Sequence, residues 1–134
     1  MSSYLTEHYQ LHTWEPGDDF LRTEFNENFE ALDGAVSEKC GMVFGTYTGN
    51  GGSSRSFDLG FAPLAVYVCA RNGTAGTDVS SEYVYGGLAL RGSPVMRSDT
   101  SVVTVTDTGF TIAAPNGYTR VNQSGKIYHY FAVK

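Results

Sequence analysis

A chain of 134 residues with 41% hydrophobic and 17% charged side chains has the size and composition of a folded domain with a modest core, which excludes a disordered tract. The net charge of −5 hides an asymmetry: residues 1–40 carry nine acids against Arg22 and Lys39, whereas residues 41–134 carry seven bases and five acids. No Lys/Arg stripe exists, so no nucleic-acid partner is expected; no apolar run approaches ~20 residues, so no membrane insertion is expected.

Residues 1–14 alternate weakly and predict an extended segment that ends at Trp14, before the turn signal Glu15-Pro16-Gly17. Asp18 suits a helix N-cap and Asp19 the first turn, where a carboxylate complements the helix dipole. Trp14 is placed to pack back over that turn. A helix is predicted from about Asp19 to Val36, ~27 Å long at about 1.5 Å per residue. Its apolar positions are Phe20, Leu21, Phe25, Phe29, Leu32, Ala35 and Val36. Phe25, Phe29, Leu32 and Val36 follow heptad spacing, and a shifted frame (Leu21, Phe25, Asn28, Leu32, Ala35) puts Asn28 in the seam, where a polar residue fixes register. Leu21, Phe25, Asn28, Phe29, Leu32 and Val36 therefore form the candidate oligomerisation seam, of a trimer or a dimer. The competing reading packs the same stripe onto the chain's own sheet. The acidic surface of this part reads as solubility rather than as a dock for a basic partner.

The texture changes at Cys40. Met42–Thr48 reads as a strand, followed by the glycine-rich loop Gly49–Ser54 and a short strand Ser56–Leu59. Leu64–Arg71 is the most apolar strand and is expected at the centre of a sheet. Asn72–Ser80 is a polar loop. Glu82–Leu90 is predicted as a strand with Tyr83 and Tyr85 on one face, and Gly86-Gly87 as a bulge or a close approach. Gly92–Thr100 is predicted as a loop, Val102–Thr106 and Gly109–Ala113 as a hairpin, and Lys126–Val133 as the closing strand, with Tyr128 and Tyr130 on one face and Ile127, His129, Phe131 and Val133 on the other. About seven short strands at this spacing predict a mainly β fold: an antiparallel β-sandwich over residues 41–134, preceded by one short α-helix in residues 1–40.

Cys40 and Cys69 make no CxxC pair and no disulfide framework, and Cys69 reads as a small core residue. The start of the chain carries no signal-peptide pattern, so cytoplasmic assembly is expected, and the two N-glycosylation patterns at Asn72 and Asn122 are read as chance.

Catalytic and metal signals are weak. His8 and His12 stand four apart in a segment that looks extended, with no third ligand near; His129 is conceivable as a ligand only around an oligomer axis. Asp58, Asp78, Glu82, Asp99 and Asp107 fall mostly in turns, where Asp caps its own backbone. There is no G-x-S-x-G and no P-loop. The expectation is a non-enzymatic protein without metal or cofactor. Saccharide binding has better physical grounds, because aromatic faces and planar polar side chains suit it. Asn72, Tyr83, Tyr85, Arg91, Arg97, Asn116, Tyr118 and Arg120 are the candidate receptor-binding residues, with Tyr128 and Tyr130 as further aromatics. The competing reading has these tyrosines cover the sheet or a subunit interface.

Three stretches carry a resemblance. His12-Thr13-Trp14-Glu15-Pro16-Gly17-Asp18-Asp19-Phe20, followed by Glu24-Phe25-Asn26-Glu27-Asn28-Phe29, resembles the start of tail-fibre and baseplate-associated proteins of phages infecting Gram-positive hosts. Gly45–Gly51 through Leu59-Gly60-Phe61-Ala62-Pro63-Leu64-Ala65-Val66 is similar to the G-F-x-P-x-x-V turn of phage tail head domains, and Val121–Ala132 to their closing N-x-x-G-x-x-Y-x-Y-x-A strand. The resemblance implies a virion protein of the phage tail, assembled in the host cytoplasm as a homotrimer. Residues 1–20 would dock on other tail or baseplate proteins, and the β part would contact a host-surface saccharide or protein. The alternative is a baseplate or capsid decoration protein with a purely structural role.

Overall fold

The computed structural model describes residues 1–39 and 41–134; Cys40, where the texture of the sequence changes, lies outside them. The chain divides into two compact units, Met1–Cys40 and Gly41–Lys134.

The first unit is a short hairpin laid along one helix. Strands β1 (Tyr4–Leu5) and β2 (His12–Thr13) pair antiparallel, and α1 runs from Arg22 to Ser37. The helix starts later than the sequence suggests, with Leu21 at the N-cap and no side-chain cap. Asp18 is not the cap because its carboxylate has nearer donors: it accepts from the Glu15 backbone N–H at 2.8 Å and from the Ser3 backbone N–H and hydroxyl at 3.0 and 2.7 Å. One face of α1 holds the hairpin through polar contacts. Buried Glu24 accepts from the Ser2 backbone N–H at 2.8 Å and from the Trp14 indole N–H at 3.2 Å. The Asn28 amide clasps the His12 backbone, accepting from its N–H at 2.6 Å and donating to its carbonyl at 2.9 Å. Trp14 also meets Phe20, ring centroids 4.9 Å apart, so it packs beside the helix start.

At about 100° per residue, Glu24, Asn28, Ala31 and Ala35 share the hairpin face, and Leu21, Phe25, Phe29, Leu32 and Val36 form the neighbouring stripe. That stripe is exposed, with Phe29 at 58% and Val36 at 66%. Asn28 faces the hairpin and is engaged within its own chain, so it does not set register in a seam.

The second unit is mainly β. Its strands are β3 (Met42–Thr48), β4 (Ser54–Asp58), β5 (Ala65–Ala70), β6 (Gly87–Leu90), β7 (Val95–Arg97), β8 (Thr100–Val105), β9 (Gly109–Ala113) and β10 (Ile127–Val133). They form two four-stranded antiparallel sheets, in the orders β3-β10-β5-β6 and β4-β9-β8-β7. The apolar strand expected at a centre, β5, does lie inside its sheet, between β10 and β6. Alternation sends Tyr47, Val66, Val68, Ala89, Tyr128 and Ala132 of the first sheet, and Val103, Phe110 and Ile112 of the second, into one shared core; Val102, the neighbour of Val103 on β8, is buried as well. Tyr47 stacks on Tyr128 at 5.0 Å and meets Phe57 at 4.7 Å, and Phe57 stacks on Phe110 at 4.6 Å, so aromatic contacts link the sheets.

Three readings of this unit need correction. The run Glu82–Leu90 is strand only from Gly87, because Glu82 takes a φ of +58° and residues 83–85 pair with loops instead. The expected loop Gly92–Thr100 contains β7, which pairs with β8 across an irregular register. Cys69 is half-buried on the outer face of β5, opposite His129, because Val66 and Val68 take the inward positions. The expected close approach at Gly86 is present: φ is +118°, and a Cβ there would lie 2.3 Å from the Val68 carbonyl oxygen.

Residues 119–123 run through the interior without belonging to a strand. Asn122 is 1% exposed and holds the loop before β4: its amide donates to Asn50 Oδ1 at 2.7 Å and to the Gly52 carbonyl at 2.9 Å, and accepts from the Asn50 backbone N–H at 3.1 Å. The Tyr47 hydroxyl donates to the Val121 carbonyl at 2.7 Å, and burial raises its pKa far above the ordinary tyrosine value, so it remains a donor. Gly49 must be glycine, since a Cβ there would sit 2.1 Å from the Gln123 carbonyl oxygen.

Two outcomes follow from these contacts. Asn122→Leu removes three hydrogen bonds that a fully buried amide makes to the Asn50–Gly52 loop, so it should cost about 1–3 kcal/mol, read as a lower urea midpoint with unchanged slope; a cost under about 0.5 kcal/mol would show that the clamp carries no energy. In the first unit, the Glu15 backbone N–H and then the Ser3 hydroxyl hold the Asp18 carboxyl below its usual range. A depressed folded pKa gives stability that is present above the unfolded value and lost as pH falls through the folded one. Trp14 emission should therefore change on acidification below about pH 4, and less so in Asp18→Asn.

Candidate functional site

The polar loops at one end of the second unit are knitted together by backbone pairing. Tyr85 N–H donates to the Gly76 carbonyl at 2.9 Å and Asp78 N–H to the Tyr83 carbonyl at 2.8 Å, so loop 72–82 lies along residues 83–85. On the other side Val84 N–H donates to the Tyr118 carbonyl at 2.9 Å and Arg120 N–H to the Val84 carbonyl at 2.7 Å. Val84 itself is fully buried. Tyr83 and Tyr85, two residues apart, stand on the same side with rings in edge contact at 6.4 Å.

Four candidate residues assemble into one ladder. The Arg97 guanidinium lies 4.4 Å from the centroid of the Tyr118 ring, Tyr118 meets Tyr83 at 5.9 Å, and the Arg120 guanidinium lies 4.1 Å from the centroid of Tyr83. Arg97 is fixed further by Glu82, donating to its backbone carbonyl at 3.2 Å and pairing with its carboxylate at 3.5 Å. One face of Tyr118 and one of Tyr83 are therefore covered by guanidinium groups, which removes part of the flat aromatic surface that the sequence offered for sugar stacking.

Beside the ladder lies an open groove of about 830 Å³, lined by Ala70, Arg71, Asn72, Thr74, Asp78, Tyr85, Arg120, Gln123, Gly125, Lys126, Ile127 and Tyr128. Of the candidate residues, Asn72, Tyr85 and Arg120 line it; Tyr83, Arg97 and Tyr118 belong to the ladder. Arg91 and Asn116 lie outside both. Arg91 pairs with Asp107 at 2.6 Å, and the Asn116 side chain accepts from the Tyr118 backbone N–H at 3.0 Å to shape its own turn. Asn72 does the same for Thr74 at 3.1 Å. Asp78 is held ionised below the usual carboxylate range, first by the Ser81 hydroxyl and then by the Ser80 hydroxyl. Tyr128 is buried, its pKa raised by that burial, and its hydroxyl accepts from Gln123 N–H at 3.1 Å.

Sequence reasoning missed Arg71, Gln123 and Lys126. A signal for two of them exists: Arg71 ends the most apolar strand and Lys126 precedes the closing one. Those strands are antiparallel neighbours, with Ala70 opposite Tyr128, so the two cations meet at one sheet end.

The apolar surface is also arranged. On the outer face of β3-β10-β5-β6, Phe44, Phe131, Tyr67 and Leu88 form a row across four strands, with Phe131 at 6.1 Å from Phe44 and 5.4 Å from Tyr67. Phe44 is 71% exposed. Among the described residues, no three His, Cys, Asp or Glu side chains are grouped to hold a metal ion, and no helix is long and apolar enough to cross a membrane. Compared with protein-family models, curated proteins and solved structures, the chain matches none.

The ladder makes one prediction. A Tyr83→Leu and Arg120→Met double-mutant cycle in urea should give a coupling of about 0.5–2 kcal/mol. Additive single effects would reduce the stack to coincidental proximity.

Proposed function

We propose that the chain is a non-enzymatic structural protein of a phage tail, a fibre tip or baseplate component, which attaches the virion to a host-surface saccharide. In this reading the first unit docks on neighbouring tail proteins through residues 1–20 and trimerises through α1. The second unit is a β-sandwich whose loop end, with the groove and the ladder, faces the receptor. The family resemblance supports the tail assignment.

The observation that carries the assembly is the stripe Leu21, Phe25, Phe29, Leu32 and Val36, exposed along a helix whose adjacent face the hairpin already occupies. Contiguous apolar surface of this kind is costly in water and is normally covered by a partner. A helix of 16 residues gains most of its stability from packing, and a three-fold seam supplies it. Three copies would also present three grooves, and multivalency can add ~10²–10⁴ in avidity to a weak site.

A second reading, a decoration protein without a receptor, draws on two observations. Guanidinium groups cover one face each of Tyr83 and Tyr118, and the apolar row through Phe44 and Phe131 suits burial against another protein.

Light scattering tests the assembly directly. The expected mass is near three times 14.5 kDa, falling to one copy in Phe29→Asp. A wild-type monomer would overturn the seam. A glycan array then separates the two readings: binding to an envelope saccharide supports attachment, and a trimer that binds none supports decoration.

A further inference from the structure

Among the described residues, the cations of the second unit are unequally employed. Arg91 pairs with Asp107 and Arg97 with Glu82. Arg55 donates to the Thr48 carbonyl at 2.7 Å and covers the rings of Tyr47 and Phe57. Arg71, Arg120 and Lys126 form no salt bridge and donate no side-chain hydrogen bond, and all three line the one groove. The single acid there, Asp78, already accepts from Ser80 and Ser81.

Arg120 adds an independent observation. Its Nε is buried without a hydrogen-bond partner, the only side-chain polar atom among the described residues in that condition. An orphaned buried donor is destabilising, and a charged one more so. The guanidinium cannot turn away freely, because it is stacked on Tyr83, whose backbone is tied to loop 72–82. Such a pre-positioned planar donor suits an oxyanion.

We propose that the groove is an oxyanion site that holds a phosphate or carboxylate carried by a saccharide. Arg120 is its fixed donor, Arg71 and Lys126 supply charge from the ends of β5 and β10, and Asn72, Thr74 and Gln123 offer neutral polar groups to the sugar. The saccharide part of this assignment rests on the attachment reading above; the oxyanion part rests on the groove alone.

The test is a titration of the full isotope-labelled chain, followed by NMR of backbone amides and arginine Nε–H groups. The probes are inorganic phosphate, glycerol 3-phosphate, glucuronate and neutral glucose. Saturable shifts confined to residues 71–74, 120, 123 and 126 are expected with the anions, with movement of the Arg120 Nε–H resonance and weakening at higher salt. Comparison of the phosphates with glucuronate separates the two oxyanion sources. Arg71→Gln and Lys126→Gln, both exposed, should each weaken binding roughly tenfold with the fold intact, and Arg120→Lys should weaken it despite keeping the charge. Equal shifts with glucose and glucuronate, shifts elsewhere, or no response to the three variants would overturn the oxyanion site. Glycan-array binding that survives loss of all three cations would overturn it too and leave the attachment reading standing. Anion binding in the groove with no glycan bound would keep the oxyanion site and overturn the saccharide assignment.

Discussion

The second unit depends on how residues 119–123 are satisfied. Thr119, Val121 and Asn122 are buried, yet the segment belongs to neither sheet, so strand pairing does not supply its partners. Other elements do. Tyr47 of β3 donates to the Val121 carbonyl, Gly51 N–H to the Asn122 carbonyl at 2.8 Å, and the hydroxyl of Tyr128 on β10 accepts from Gln123 N–H. Arg120 N–H is taken by Val84. The Asn122 side chain closes the arrangement by holding Asn50 and Gly52. A buried asparagine that holds one loop through both of its amide atoms is expensive to replace, because any apolar substitute leaves those partners unpaired.

This constraint also builds the groove. Arg120 and Gln123 reach it from the clamped segment, Arg71 and Lys126 from the adjoining ends of β5 and β10, Asn72 and Asp78 from the loop bonded to the Tyr83 and Tyr85 backbone, and Tyr85 from that backbone itself. The groove walls are therefore extensions of the core, and a ligand would pay little to order them. Each of the two exposed apolar regions, on α1 in the first unit and on the outer face of β3-β10-β5-β6 in the second, has no comparable partner within its own unit among the described residues. In the proposed reading they are assembly surfaces, and the groove is the part left to face outward.

The strands were largely legible in sequence because alternation and turn residues carry them. β3, β5, β10 and the β8–β9 hairpin fall close to their predicted places. The helix was legible from its stripe, but its start was not. Asp18 looks like a cap locally, whereas Ser3, fifteen residues earlier, claims its carboxylate. Asn28 looks like a register residue in a heptad, and it instead clasps the His12 backbone from sixteen residues away. Asn122 fits a glycosylation pattern, and its burial at 1% exposure makes it a structural clamp, in keeping with reading that pattern as chance. The candidate aromatics came together as Tyr83, Tyr85 and Tyr118, but their guanidinium covers depend on which arginine the topology brings over which ring. Arg71 and Lys126 do not stand out in the sequence for the same reason: each is a single cation beside a strand, and only strand pairing makes them neighbours. Local chemistry showed in the sequence; side-chain partnerships between distant segments did not.

If residues 119–123 carry a preformed groove, they must be held as firmly as the core. Native-state hydrogen exchange reads this residue by residue. The amides of Gly51, Arg120 and Gln123, together with Val84 and Tyr85, should exchange only through global opening, with protection matching that of β5 and β10. Exchange of these five amides at the rate of an exposed loop, while the strands remain protected, would contradict it: the groove would then be a mobile surface, and its cations would have no fixed geometry to offer a ligand.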